Sequence, residues 1–245
     1  MPESWKNALD RYQYPVNLQE YCGAQRFPNH FKMIIQGDRE STIKFENYFR
    51  ENNQAIESWF EVVFWKMYSQ PQFSNPQTCS IVKRFTSCKV SAFSLLNTAN
   101  KFMRSETFED AHKNFDVYRS CFGYSTKAIA TVATFPAFLD PNNFPMVDTR
   151  VAKWVNSQYM VHNKHDSQGP QLIRSVYGNG SSSNVLTMED FNFYYHWILW
   201  TRQIAKKLNI ETNFHWRARD VEMAVFTAWG KGKRRKEPVL RLNPI

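Results

Sequence analysis

The chain has 245 residues, and 31 Lys and Arg against 22 Asp and Glu give a net charge of +9, which excludes an acidic, solvating protein. Its 20 Phe, 11 Tyr and 8 Trp can build a large core, while only 8 Gly serve tight turns, which argues against a turn-rich β architecture or a low-complexity chain. At this length one large domain, or two small ones sharing a core, is expected, and the charge leaves an anionic partner open among nucleic acid, membrane surface and acidic proteins.

Before Ala55 the pattern is weak: Pro2, Pro15 and Pro28 interrupt any long helix, and the run Phe31 to Ile35 has the character of a short strand. From Glu57 the segment ESWFEVVFWKMY is apolar nearly all round, as in a helix enclosed by others. Asn75 followed by Pro76 marks a helix start running towards Phe85, and a further helix is expected over Ala92 to Phe102. Thr107 with Asp110 opens a helix that places Phe108, Ala111, Phe115 and Tyr118 on one face and stops near Ser120.

A turn, CFGYS, then precedes a second helix beginning near Thr126, with Ala128, Ile129, Val132 and Ala133 on one face and a bend or end at Pro136. After the loop DPNNFPMV, Asp148 caps a helix through Asn156. GNGSSSN is a flexible loop, Thr187 with Asp190 caps a long helix with Phe191, Tyr194, Tyr195 and Ile198 inward, and Asp220 caps a last one. Helices joined by short loops, without repeats, predict an all-α fold.

The dispersed Cys22, Cys79, Cys88 and Cys121 form no C-x-x-C pair, and His162 and His165 lie in a polar segment, so neither a metal nor an iron–sulfur cluster is expected. No apolar run approaches the roughly 18 residues of a membrane span, and the first ten residues lack a secretory pattern, so a protein inside the cell and off the membrane is expected.

The chemistry concentrates in Gly123-Tyr124-Ser125-Thr126-Lys127-Ala128 and in Phe144-Pro145-Met146-Val147-Asp148-Thr149-Arg150-Val151. A tight turn at Gly123 between two helices leaves outward backbone N–H groups, which hold a phosphate without sequence preference. Lys127, placed in the first turn of the second helix, would have its pKa lowered by the helix dipole. To be neutral at pH 7 a lysine must fall by about three units, roughly 4 kcal/mol, of which the dipole gives ~1 kcal/mol, so burial must supply the rest. Taken alone, Lys127 reads as a surface lysine and Asp148 as a helix cap; taken together they read as a catalytic pair.

These two segments resemble the helix-hairpin-helix DNA glycosylase superfamily, whose hairpin has the form L-P-G-V-G-T-K-x-A and is followed about twenty residues on by Pro-x-Asp. Lys127 and Asp148 occupy both functional positions, 21 apart, and the motif is nearest to the 8-oxoguanine DNA glycosylase branch, in which the lysine is a nucleophile. The resemblance spans Thr107 to Asn156. Ser125 replaces the hairpin's second glycine, Cys121-Phe122 replaces Leu-Pro, and Met146-Val147 lengthens the proline-to-aspartate step by one residue.

The resemblance implies a two-lobed helical bundle, in which residues 1–55 complete the second lobe, 56–160 form the catalytic core and 161–245 pack back on it with a basic tail. It implies a DNA glycosylase with AP-lyase activity, acting without a cofactor as a monomer on double-stranded DNA that carries a damaged base. Lys127 would attack the deoxyribose C1′ and Asp148 would assist, while Gly123, Tyr124, Ser125 and Thr126 would hold the backbone. Gln70, Phe73, Phe122 and Arg150 are the further candidates for DNA or base-pocket contacts, with Trp65 and Tyr124 as additional rings for stacking on a flipped base. Ser69-Gln70 is similar to the family's gap-facing Ser-Gln and reads equally as a loop cap. Two alternatives stay open: a helix-hairpin-helix module that grips DNA without catalysis, and a basic helical interaction protein. Arg217 and Arg219 would bind phosphate or pair with carboxylates, and Lys231 to Lys236 form a solvated basic segment, a DNA backbone contact or a nuclear-import address.

Overall fold

The computed structural model describes residues 2–14, 37–67, 83, 90–122, 128–162, 185–230, 238 and 240–242. Among them all regular structure is helical, with one isolated antiparallel bridge between Gln13 and Asp38. The fold is all-α as expected. The strand expected at Phe31 to Ile35, the helix towards Phe85 and the GNGSSSN loop lie outside the described residues. The chain separates into two compact units, Gln13–Ser125 and a discontinuous one of Met1–Tyr12 with Thr126–Ile245. These divisions differ from those expected at 55 and 160, because the first helix is built into the core of the C-terminal helices.

After α1 (Pro2–Asp10), which belongs to the other unit, the Gln13–Ser125 unit opens with α2 (Arg39–Asn52) and α3 (Ile56–Met67). Asp38 caps α2 by accepting the Ser41 N–H at 2.7 Å. Gly37 before it has φ +66°, and a Cβ there would stand 2.1 Å from the Tyr14 carbonyl oxygen, so no other residue fits this turn. The enclosed helix expected from Glu57 is α3, in which Trp59, Val62, Val63 and Trp65 are buried. The Trp65 ring stacks on Tyr14 at 4.0 Å. Helices α4 (Ala92–Met103) and α5 (Phe108–Ser120) form an antiparallel pair, sealed by Phe102 edge-on to Phe115 at 4.9 Å. Thr107 caps α5 as expected, accepting the Asp110 N–H at 3.1 Å.

The other unit holds α1 (Pro2–Asp10), α6 (Ile129–Val132), α7 (Thr134–Leu139), α8 (Thr149–His162), α9 (Met188–Glu211) and α10 (Ala218–Trp229). Pro2 stands at the first position of α1, where its missing N–H costs nothing, so it starts a helix rather than interrupting one. Thr187 and Asp190 form a reciprocal capping box on α9. Phe191, Tyr194 and Ile198 point inwards and Tyr195 is half-buried.

Helix α10 is the centre of this unit: every residue from Ala218 to Trp229 except Thr227 is buried, and α1, α8 and α9 pack around it. The helix begins two residues before the expected cap. Asp220 lies in its first turn, where the carboxylate accepts the Arg217 backbone N–H at 3.1 Å and the guanidinium at 2.9 and 3.0 Å. Arg219 pairs with Glu222 and donates to the Tyr12 hydroxyl at 3.3 Å. The choice left open for the two arginines falls to carboxylates. Replacing Glu222 by Ala leaves a wholly buried guanidinium without its carboxylate and is expected to cost about 3–5 kcal/mol. The paired replacement Arg219→Met with Glu222→Leu is expected to cost far less, both read by urea denaturation.

Candidate functional site

The candidate segment starts where α5 ends. Cys121 follows the helix, and Phe122 is 0% exposed, edge-on to Tyr118 at 5.1 Å. This corrects Phe122 as a base-stacking contact, because its ring is spent in the core of its own unit. Trp65, 1% exposed against Tyr14, is corrected for the same reason. Gly123, Tyr124, Ser125, Thr126 and Lys127 lie outside the described residues, as do Gln70 and Phe73.

The structure resumes at Ala128, which has φ 44° and ψ 26°, a left-handed conformation that an alanine rarely adopts. Helix α6 begins after it at Ile129, not near Thr126. The helix breaks at Ala133 and continues as α7, in which Pro136 stands in the first turn and needs no N–H partner. The expected bend thus comes three residues before the proline.

The loop from Asp140 to Val147 is buried at Pro141, Phe144, Pro145, Met146 and Val147. Its carbonyls are nearly all bonded. Asp140 accepts the Phe144 N–H at 2.9 Å, Pro141 accepts the Arg219 N–H at 3.0 Å and Asn142 accepts the Ala218 N–H at 3.1 Å. From α9, the Arg202 Nε donates to Asn143 at 2.7 Å, the Tyr194 hydroxyl to Pro145 at 3.5 Å and the Trp197 Nε1 to Met146 at 2.8 Å. Burial pushes the Tyr194 phenol far above its ordinary range and keeps it a donor. Burial lowers Arg202, and the Asp140 carboxylate partly offsets this. The Arg202 guanidinium also covers the Phe144 ring at 4.7 Å.

The loop delivers Asp148 to the start of α8. Its Oδ1 accepts the backbone N–H groups of Arg150 and Val151, each at 2.9 Å, as the expected cap does. Its Oδ2 accepts from no described residue, and the side chain is half-buried. Arg150, two residues on, lays its guanidinium over the Phe226 ring at 4.3 Å and forms no ion pair among the described residues. Phe226 in turn contacts Tyr12 at 5.8 Å. Asp148 and Arg150 thus share the start of one helix, the first oriented by backbone amides and the second by an aromatic face.

Compared with known proteins, the chain matches no family model, no curated protein and no solved structure. Among the described residues no group of three or more His, Cys, Asp and Glu is arranged to hold a metal ion, and no helix is long and apolar enough to cross a membrane. Sequence reasoning missed Trp197 and Arg202 altogether and placed Tyr194 only as an inward ring. A side chain bonded to a loop carbonyl some fifty residues away leaves no periodic trace; the one available signal was the crowding of aromatic residues on α9.

The capping geometry separates two substitutions. Asp148→Ala removes the acceptor for two amides and is expected to lower stability by about 1 kcal/mol. Asp148→Asn keeps an acceptor oxygen and is expected to unfold close to the wild type, in the same thermal denaturation measurement.

Proposed function

We propose that this chain is a DNA glycosylase of the helix-hairpin-helix type with an associated AP-lyase step, acting in base excision repair as a monomer on double-stranded DNA. The observation that carries the reading is Asp148: one carboxylate oxygen is held by the amides of Arg150 and Val151, while the other has no partner among the described residues. A carboxylate oriented by its own backbone keeps its direction when a charged transition state forms beside it. It stands 21 residues after Lys127, the spacing of the catalytic pair in the family that the motif resembles.

In this reading the damaged nucleotide is turned out of the helix, and the neutral Lys127 amine attacks C1′. The bond from C1′ to the base breaks, its electron pair leaves with the base, and the base takes up a proton. Asp148 stabilises the positive charge on the sugar and accepts the proton that the lysine nitrogen sheds. Opening of the sugar ring then gives a Schiff base, and loss of the C2′ proton expels the 3′ phosphate. The stacked guanidinium of Arg150 keeps its N–H edge available for a backbone phosphate. The motif favours an oxidised purine among the damaged bases, and the net charge of +9 supports backbone binding.

A second reading, a helix-hairpin-helix module that binds DNA without catalysis, is favoured by the start of α6 at Ile129. In that reading Lys127 keeps its proton, since neutralising a lysine at pH 7 takes roughly 4 kcal/mol, and it serves the backbone as a cation. Borohydride trapping decides between the two, on a panel of duplexes each carrying one lesion or an abasic site. The glycosylase reading expects a covalent adduct that Lys127→Gln abolishes, with base release slowed on the order of 100-fold or more by Asp148→Asn. No release from any lesion, together with salt-sensitive duplex binding, would establish the non-catalytic module instead.

A further inference from the structure

We infer that Trp197, with Tyr194 and Arg202, positions Asp148: these three α9 side chains clamp the loop whose last residue before the helix carries the carboxylate. The inference rests on the proposed role of Asp148 and deepens it.

A loop of eight residues between two helices ordinarily turns its carbonyls to water. Here Asn143, Pro145 and Met146 each accept a hydrogen bond from one helix, from Arg202, Tyr194 and Trp197. The strongest of these in the buried part is the Trp197 bond at 2.8 Å, made two residues before Asp148. The indole is itself held: it stacks on Trp200 at 5.2 Å with 19° between the rings. Trp200 also packs against Trp154 of α8 at 5.8 Å. Asp148 therefore sits between two points registered on the same helix, the Met146 carbonyl upstream and the Trp154 ring downstream.

Two properties of the donors suit a positioning task better than a general packing one. Each has a rigid or planar donor group aimed at one acceptor, which fixes the direction of the chain as well as its distance. The amides of Arg150 and Val151 donate to Asp148 itself and the three side chains donate to loop carbonyls, so the clamp reaches the carboxylate through the loop. A bonded carbonyl that loses its donor in a dry site is strongly disfavoured, so removing Trp197 shifts the loop rather than leaving it in place. A displacement of the order of an ångström at a catalytic group is enough to slow a reaction about 100-fold.

The test uses the full chain as wild type, Trp197→Phe, Arg202→Gln, Asp148→Asn and the double variant W197F/D148N. Amide hydrogen exchange is read by NMR, and single-turnover base release on lesion duplexes is read alongside DNA affinity. The clamp expects the Arg150 and Val151 amides to exchange on the order of tenfold faster in W197F, while α5 amides keep their rates. It also expects base release to fall on the order of 10- to 100-fold with unchanged affinity, and W197F/D148N to be no slower than D148N. Wild-type protection of both amides in W197F and in R202Q overturns the clamp, and so does a double variant whose loss is the product of the single losses. An inactive wild type sinks the glycosylase reading, and the exchange measurement then decides the clamp by itself. Arg202 is half-buried, so R202Q carries the same comparison where W197F does not fold.

Discussion

A helix enclosed on every side must satisfy its own charges, and α10 with its capping residue carries two arginines and two acids into such a place. Arg217 with Asp220 and Arg219 with Glu222 meet that demand three residues apart along the helix. The arrangement has a second effect on the backbone. Because Arg217 and Asp220 settle the start of the helix, the amides of Ala218 and Arg219 remain to donate to Asn142 and Pro141. The most buried helix of the unit therefore ends its N-terminus on the loop that leads to Asp148.

That loop is held from two sides, by the main chain of α10 and by the side chains of α9. The combination explains how a segment containing two prolines and two asparagines is largely buried with most of its carbonyls bonded. It also explains why Asp148 can serve as a cap and still present an oxygen: the direction of α8 is set by the loop and by the Trp154 to Trp200 contact, not by the cap alone. Arg150 gains its orientation separately, from Phe226, so the two polar groups at the helix start are fixed by different parts of the core.

The parts of this arrangement that could be read in the sequence are the ones governed by neighbours along the chain. Thr107, Asp148 and Thr187 announce helix starts because a cap bonds amides two or three residues away. The enclosed helix α3 shows in apolar residues spread nearly all round its turns. Expecting the cap at Asp220 puts it three residues late, at an acid of the first turn that resembles a cap in sequence. Helix α1 was hidden by Pro2, which reads as a breaker until its place at the first position is known. Phe122 was legible as aromatic but not as buried, since its exposure depends on residues outside any helical period, whereas the burial of Trp65 follows from the enclosed helix that carries it. The left-handed turn at Ala128 had no signal at all, because alanine carries no preference for that conformation. Lys127 and its hairpin rest on the motif alone.

The pairing of Arg219 with the Tyr12 hydroxyl joins residues 207 positions apart. Trp5, Leu9 and Tyr12 are synthesised long before the helix that packs on them. At ordinary rates of synthesis the interval between Tyr12 and Arg219 is roughly 10–40 s. During that time the whole of the Gln13–Ser125 unit is completed, while α1 carries apolar rings without a partner. The unit that bears Asp148 thus closes only after the whole of Gln13–Ser125 has been synthesised, and its first helix is a segment a chaperone would meet exposed.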